Sequence, residues 1–172
     1  MSLLTNLESL TLYKCYDLFD VSMLSLVPKL IIYDCSLLRH VGDLKTVLDL
    51  TIDCCHNITD VSMLSSVPKL TFYNCNGIKD VSALRNVQDL TLNCCHNIID
   101  KPILENPKLT IKDCNGIYNV SGLTSVLDLT LDFCINIRDV SMLCGVSKLN
   151  IKNCRKIYNW GSIPTFQHEV SL

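Results

Sequence analysis

No stretch of this 172-residue sequence approaches the ~18 consecutive apolar residues that a membrane-spanning helix needs. Its opening, Met1 to Leu10, has no basic segment followed by an apolar block, so it lacks the pattern of a secretory signal. Neither sign of charge is in excess. The 15 Lys and Arg against 17 Asp and Glu leave a net charge of -2, which offers no basic surface to a phosphate backbone and sets nucleic acid aside as a partner. With Met1 as the native start, these absences lead to the expectation of an intracellular, cytoplasmic protein that does not enter the membrane. The 11 cysteines are then read for a reducing compartment, where structural disulfides are rare.

What is present is repetition. Leu10, Leu30, Leu50, Leu70 and Leu90 recur with a period of 20; one residue is then lost, and Leu109, Leu129 and Leu149 continue the series. The unit reads L-T-(I/L)-x-x-C-x-x-(I/L)-x-D-V-S-x-L-x-x-V-x-(K/D). Numbered from its leucine, positions 1 and 3 alternate with polar neighbours, the period of a strand with one buried face. Positions 6, 9, 12, 15 and 18, as in Cys75, Ile78, Val81, Leu84 and Val87, are spaced by three, which suits turns and short 3₁₀ segments. No unit can bury these side chains alone, whereas stacked units form one continuous core.

Identical strands joined by return paths of about fifteen residues must stack in parallel, ~4.8 Å apart. The expected class is an α/β repeat solenoid: a right-handed coil with a parallel β-sheet on its concave side and turns or short 3₁₀ segments on its convex side. Residues 1–172 form a single domain, with an N-terminal half repeat at 1–9, seven repeats over 10–148, and a last repeat with its C-terminal cap at 149–172. Trp160, Ile163 and Phe166 carry the pattern into that cap. Leu3, Leu4 and Leu7 begin the chain in a half unit that is either a sufficient lid or the seat of a homodimer through the N-terminal end.

The stretches VPKLIIYDC (Val27 to Cys35) and VPKLTFYNC (Val67 to Cys75) fit the leucine-rich repeat core L-x-x-L-x-L-x-x-(N/C). CHNITD (Cys55 to Asp60) resembles the cysteine-containing subclass, and the short DVSxLxxV return is similar to internalin-type repeats. A 20-residue unit with a cysteine ladder also resembles short repeat proteins of large DNA viruses of amoebae. The resemblance implies a protein-recognition surface on the concave sheet, in the host cytoplasm if the protein is viral. It implies no catalytic activity and names no partner.

Position 6 is cysteine in every copy: Cys15, Cys35, Cys55, Cys75, Cys95, Cys114, Cys134 and Cys154. A free thiol is a small buried residue with a weak S–H donor, so the ladder reads as structural. Cys54, Cys94 and Cys144 fall outside it. Cys54 and Cys94 lie two strands apart, ~9.6 Å. Zinc needs four ligands at ~2.0 to 2.3 Å, so the paired Cys-Cys-His motifs at Cys54-Cys55-His56 and Cys94-Cys95-His96 cannot share an ion. No metal or cofactor is expected. Asp20, Asp60, Asp80, Asp100 and Asp139 can accept hydrogen bonds from backbone N–H groups two or three residues ahead, supported by Ser22, Ser62, Ser82, Ser121 and Ser141. Nothing pairs a histidine with one such Asp and Ser, so no hydrolytic triad and no enzyme is expected.

Position 20 alternates in sign: Lys29, Asp49, Lys69, Asp89, Lys108, Asp128, Lys148. On adjacent parallel strands opposite charges become neighbours, which favours an internally paired ladder over a binding row. The turns share the two-unit rhythm, His56-Asn57 and His96-Asn97 against Asn76-Gly77 and Asn115-Gly116, as a duplicated pair of units would produce. Position 4 is the varied row: Tyr13, Tyr33, Asp53, Tyr73, Asn93, Lys112, Asp132 and Lys152. Exposed tyrosines are common interface anchors, so this row is the candidate partner-binding site. In the shortened fifth unit Lys101 occupies a core position and Pro102 and Pro107 are added; local drift is favoured over an outer contact point. The expected function is a non-catalytic protein-interaction module, with a structural component contacting through its ends or convex side as the alternative.

Overall fold

The computed structural model describes residues 6–99 and 103–163. Strands β1 (Ser9–Tyr13), β2 (Lys29–Tyr33), β3 (Asp49–Asp53), β4 (Lys69–Tyr73), β5 (Asp89–Asn93), β6 (Lys108–Lys112), β7 (Asp128–Asp132) and β8 (Lys148–Lys152) form one sheet. Its order is sequential, and every neighbouring pair is parallel and in the register of the repeat, with Leu50 beside Leu70 and Ile52 beside Phe72. Return segments carry short 3₁₀ helices, such as Ser22–Leu26, Ser62–Ser66 and Ser141–Gly145, and no α-helix occurs among the described residues.

The core follows from the spacing. Leu70, Phe72, Cys75, Ile78, Val81, Leu84 and Val87 of one repeat are all at most 2% exposed, and their equivalents stack above and below them. Each such side chain contributes about 1.5–3 kcal/mol on burial. The stack loosens at Leu10, Leu12, Cys15 and Leu18, which are partly buried where their counterparts Leu30, Ile32, Cys35 and Leu38 are fully buried.

Three local devices make the turns. Position 5 adopts left-handed backbone in every rung, from Lys14 (φ 54) through Cys54 (φ 53), Cys94 (φ 53) and Phe133 (φ 52) to Asn153 (φ 56). Its N–H still bonds the next strand, as in Cys54 N–H to the Tyr73 carbonyl at 2.9 Å, and the chain then swings inward. Asp and Asn at Asp34, Asn74, Asp113 and Asn153 tolerate this conformation best. The ladder cysteine follows: Cys75 Sγ lies 3.3 Å from the carbonyl oxygens of both Tyr73 and Ile52, so from Cys75 onward the thiols lie against carbonyls of their own strand and the one before. At position 11, Asp20, Asp60 and Asp139 accept the N–H of Ser22, Ser62 and Ser141 at 2.9 Å, and Asp80 that of Ser82 at 2.8 Å. These bonds hold the four carboxyls below their ordinary pKa. Asn119 does the same for Ser121, a position the Asp pattern had not included.

The fifth unit is repaired from within. Asn106 is fully buried beneath its shortened return, and its amide donates to the carbonyls of Leu84 at 2.8 Å and Val87 at 2.7 Å. Asp100, Lys101, Pro102 and the cap beyond Ile163, including Phe166, lie outside the described residues, as do Leu3 and Leu4.

Candidate functional site

Strand alternation leaves three rows on the open face of the sheet: position 20, the threonine row at position 2, and position 4. The outer row is paired along the stack. Lys69 Nζ sits 3.0 Å from Asp49, Lys108 Nζ 2.8 Å from Asp89, and Lys148 Nζ 2.7 Å from Asp128. The alternation of sign is therefore spent within the sheet, two strands at a time.

Position 4 divides in two. At one end the rings of Tyr13 and Tyr33 stack, with centroids 4.8 Å apart and planes 5° from parallel. Lys14 Nζ lies 5.2 Å from the Tyr13 centroid, and this neighbour raises the Lys14 pKa. Tyr73 stands on the same face, exposed, separated from Tyr33 by Asp53 on the intervening strand. The sequence grouped the three tyrosines; the structure brings two into contact and leaves the third across a carboxylate. One oxygen of that carboxylate, Asp53 Oδ1, is buried without a hydrogen-bond partner. At the other end Lys112 Nζ meets Asp132 at 3.4 Å, Asn93 is buried, and Lys152 closes the row on β8. All eight residues share one face of one sheet, but only the tyrosine end presents large exposed rings.

The thiols are free, and all but Cys15 of the ladder are buried. Burial pushes Cys55 up to about 11 and raises Cys35 and Cys75 as well. Cys54 and Cys94 are half-buried and also raised, chiefly by desolvation, so neither is an activated nucleophile. Among the described residues no three His, Cys, Asp or Glu side chains converge as metal ligands. His56 and His96 sit in the turns; the His96 ring lies 3.5 Å from the Asn115 N–H.

Two clefts lie on the return side, which sequence reasoning missed. A cleft of about 620 Å³ is bounded by Tyr118, Asn136, Arg138 and Met142, and one of about 270 Å³ by His40, Asp43, Lys45 and Met63. The second opens where Gly42 replaces the usual serine, which is the signal a reader of the repeat could have used.

Sequential parallel strands, inward leucines and 3₁₀ returns define a leucine-rich-repeat solenoid. Among solved structures the chain is similar to an internalin (inlF) from Listeria monocytogenes str. 4b F2365, with a TM-score of 0.52 and 20% identity over 86% of this chain and 48% of that one. This chain thus spans about half the length of that internalin, and the likeness is one of fold. No family model matches the sequence, and no curated protein matches it.

Proposed function

We propose that the chain is a non-catalytic protein-recognition module whose partner lies across the open, concave face of the sheet and is anchored by Tyr13, Tyr33 and Tyr73. The observation that carries this reading is the contrast between rows: three ion pairs join six of the seven position-20 residues, all but Lys29, while the tyrosine end of position 4 keeps Tyr13 at 61% and Tyr73 at 43% exposure. Rigid strands hold these rings in place, which lowers the entropy lost on binding. The rest of the row, Asp53, Asn93, Lys112, Asp132 and Lys152, supplies polar specificity rather than anchoring. Free thiols throughout fit a reducing compartment such as cytoplasm, a viral host's included.

Quantitative capture from source-cell lysate tests the proposal, comparing wild type with a Tyr13→Ala, Tyr33→Ala, Tyr73→Ala variant whose melting curve shows it folded. A partner held by wild type and lost by the variant is the expected result. Equal capture by both moves recognition off the sheet.

A second reading rests on its own observation. Tyr13, Tyr16, Phe19, Met23 and Leu26, all in one repeat, are each at least 50% exposed, so apolar side chains ring the first full rung. That ring suits contact through the N-terminal end, as in a homodimer. A monomer by light scattering at the highest attainable concentration would exclude self-association there.

A further inference from the structure

On the proposed recognition face, the geometry points to a slot between Tyr33 and Tyr73, floored by Asp53, that takes a cationic side chain of the partner, an arginine or a lysine. The inference rests on the concave-face reading and names the chemistry of its central contact.

Ring orientation comes first. Tyr13 and Tyr33 stack at 4.8 Å with planes 5° apart, and that separation is the spacing of adjacent strands. Their planes therefore stand across the long axis of the stack. One face of Tyr33 is covered by Tyr13, and the opposite face looks toward the next strand, where position 4 is Asp53. One strand further on, Tyr73 occupies the same row.

Distances set the size of the slot. The backbones of Tyr33 and Tyr73 are two strand spacings apart, ~9.6 Å, which leaves the width of one strand between the two side chains. A cation is attracted to an aromatic face within ~6 Å of its centroid. The end of the same stack already shows such a contact, with Lys14 Nζ 5.2 Å from the Tyr13 centroid.

Charge then selects a cation over a neutral apolar group. The Asp53 carboxylate has one oxygen buried without a hydrogen-bond partner and a side-chain hydrogen bond from the Cys54 thiol, but no cation beside it among the described residues. Everywhere else that Asp or Lys meets an opposite charge on this face, the counter-ion comes from the adjacent strand: Asp49 from Lys69, Asp89 from Lys108, Asp128 from Lys148 and Asp132 from Lys112. The strands beside Asp53 offer tyrosines at the matching position instead. Asp34 follows Tyr33 in the chain, so two carboxylates, Asp34 and Asp53, stand near the Tyr33 ring. An arginine or lysine inserted from a partner supplies the missing countercharge and a flat or compact group for the two rings.

The test is a titration of the full chain carrying ring-¹³C tyrosine, followed by NMR, with N-acetyl-arginine amide and its neutral isostere N-acetyl-citrulline amide as probes. Tyr33→Phe and Tyr73→Phe samples assign the signals. Arginine amide is expected to shift Tyr33 and Tyr73 saturably in the millimolar range, and citrulline amide to bind about tenfold more weakly. Asp53→Asn should bring arginine down to the citrulline level, while Asp128→Asn, in the internally paired outer row, leaves it unchanged. Equal binding of the two probes, arginine binding undiminished in Asp53→Asn, or no saturable shift at about 50 mM overturns the slot. Should Asp53→Asn fail to fold, the two probes on wild-type protein decide alone. Failure of the broader reading looks different: a partner captured through the tyrosines yet indifferent to Asp53→Asn removes the cation slot and leaves the recognition face standing.

Discussion

From β3 to β7, neighbouring rungs of the solenoid are joined in two ways, and the two alternate. Between β3 and β4, and between β5 and β6, the outer row is tied by Lys69 to Asp49 and Lys108 to Asp89. At the turn edge of the same junctions, Gly77 and Gly116 bring backbone against backbone. A methyl at Gly77 would collide with the carbonyl oxygens of His56 and Ile58, and one at Gly116 with those of Ile98 and His96. Between β4 and β5, and between β6 and β7, an amide does the work: Asn97 Nδ2 reaches back to the Asn76 carbonyl and Asn136 Nδ2 to that of Asn115, both at 2.7 Å. The contrast gives the two-unit rhythm a steric cause. The rungs after Asn57 and Asn97 have glycine at the matching position, Gly77 and Gly116, where a side chain would collide with the neighbouring carbonyls.

The largest effect should come from violating the close junctions. Gly77→Ala or Gly116→Ala forces backbone apart and is expected to cost about 3 kcal/mol in urea unfolding, near the upper end of overpacking penalties. Asn97→Ala, at an amide junction, should cost about 1 kcal/mol, one hydrogen bond at an exposed edge. Near-equal losses would show that the two junctions are not distinct in energy.

The shortened unit sharpens the comparison because it adds a second amide to the β4–β5 junction, this one in the core. Asn106 bonds the Leu84 and Val87 carbonyls in place of the valine that other units carry. Asn106→Ala strands two buried acceptors and should cost about 2–3 kcal/mol, more than Asn97→Ala. Asn106→Val restores the repeat's apolar residue but not the bonds, so it should fall between wild type and Asn106→Ala. A valine variant more stable than wild type would mean that packing, not the amide, governs this site.

The regular part of this architecture was legible because it is apolar periodicity: Leu70, Phe72, Cys75 and Ile78 stand where spacing alone put them. Opposite charges one rung apart also predicted the outer row correctly. What escaped were backbone facts. The left-handed residue at position 5 is written four times as Asp or Asn, yet Lys14, Cys54, Cys94 and Phe133 hide it. Gly77 and Gly116 were visible as a rhythm, but only the approach of the neighbouring carbonyls says why glycine is needed. The burial of Asn106 depends on the deletion beside it, which the repeat pattern does not encode. At the candidate site, the row was readable from strand parity, whereas the stacking of Tyr13 on Tyr33 and the lone oxygen of Asp53 are properties of side-chain geometry.

Three thiols of the ladder, Cys35, Cys55 and Cys75, predict a pH response. Burial lifts Cys55 from 9.0 to about 11 and raises Cys35 and Cys75, so above pH 9 the unfolded chain loses protons that the folded chain keeps. Their contribution is fully present below the unfolded pKa and is lost as pH rises through the folded one. The urea midpoint should therefore be steady from pH 7 to about 8.5 and fall as pH approaches 11. Replacing Cys55 and Cys75 together by Ala should lower stability at neutral pH and flatten the alkaline fall; an unchanged slope would place the titrating groups elsewhere.

The ion pairs should matter least, and their weakness is informative. Lys69 and Lys108 are about half exposed at 53% and 52%, so water and salt screen both pairs. A double-mutant cycle with Asp89→Asn and Lys108→Gln is expected to give a coupling of about 0.5 kcal/mol that fades in 1 M salt. The junction between β5 and β6 would then owe its stability to the glycine approach beneath, with the charges serving mainly to disfavour a stack that skips one rung, in which each lysine would face another lysine. A coupling above about 2 kcal/mol, persisting in salt, would reverse that order and make the outer row a principal bond of the close junctions.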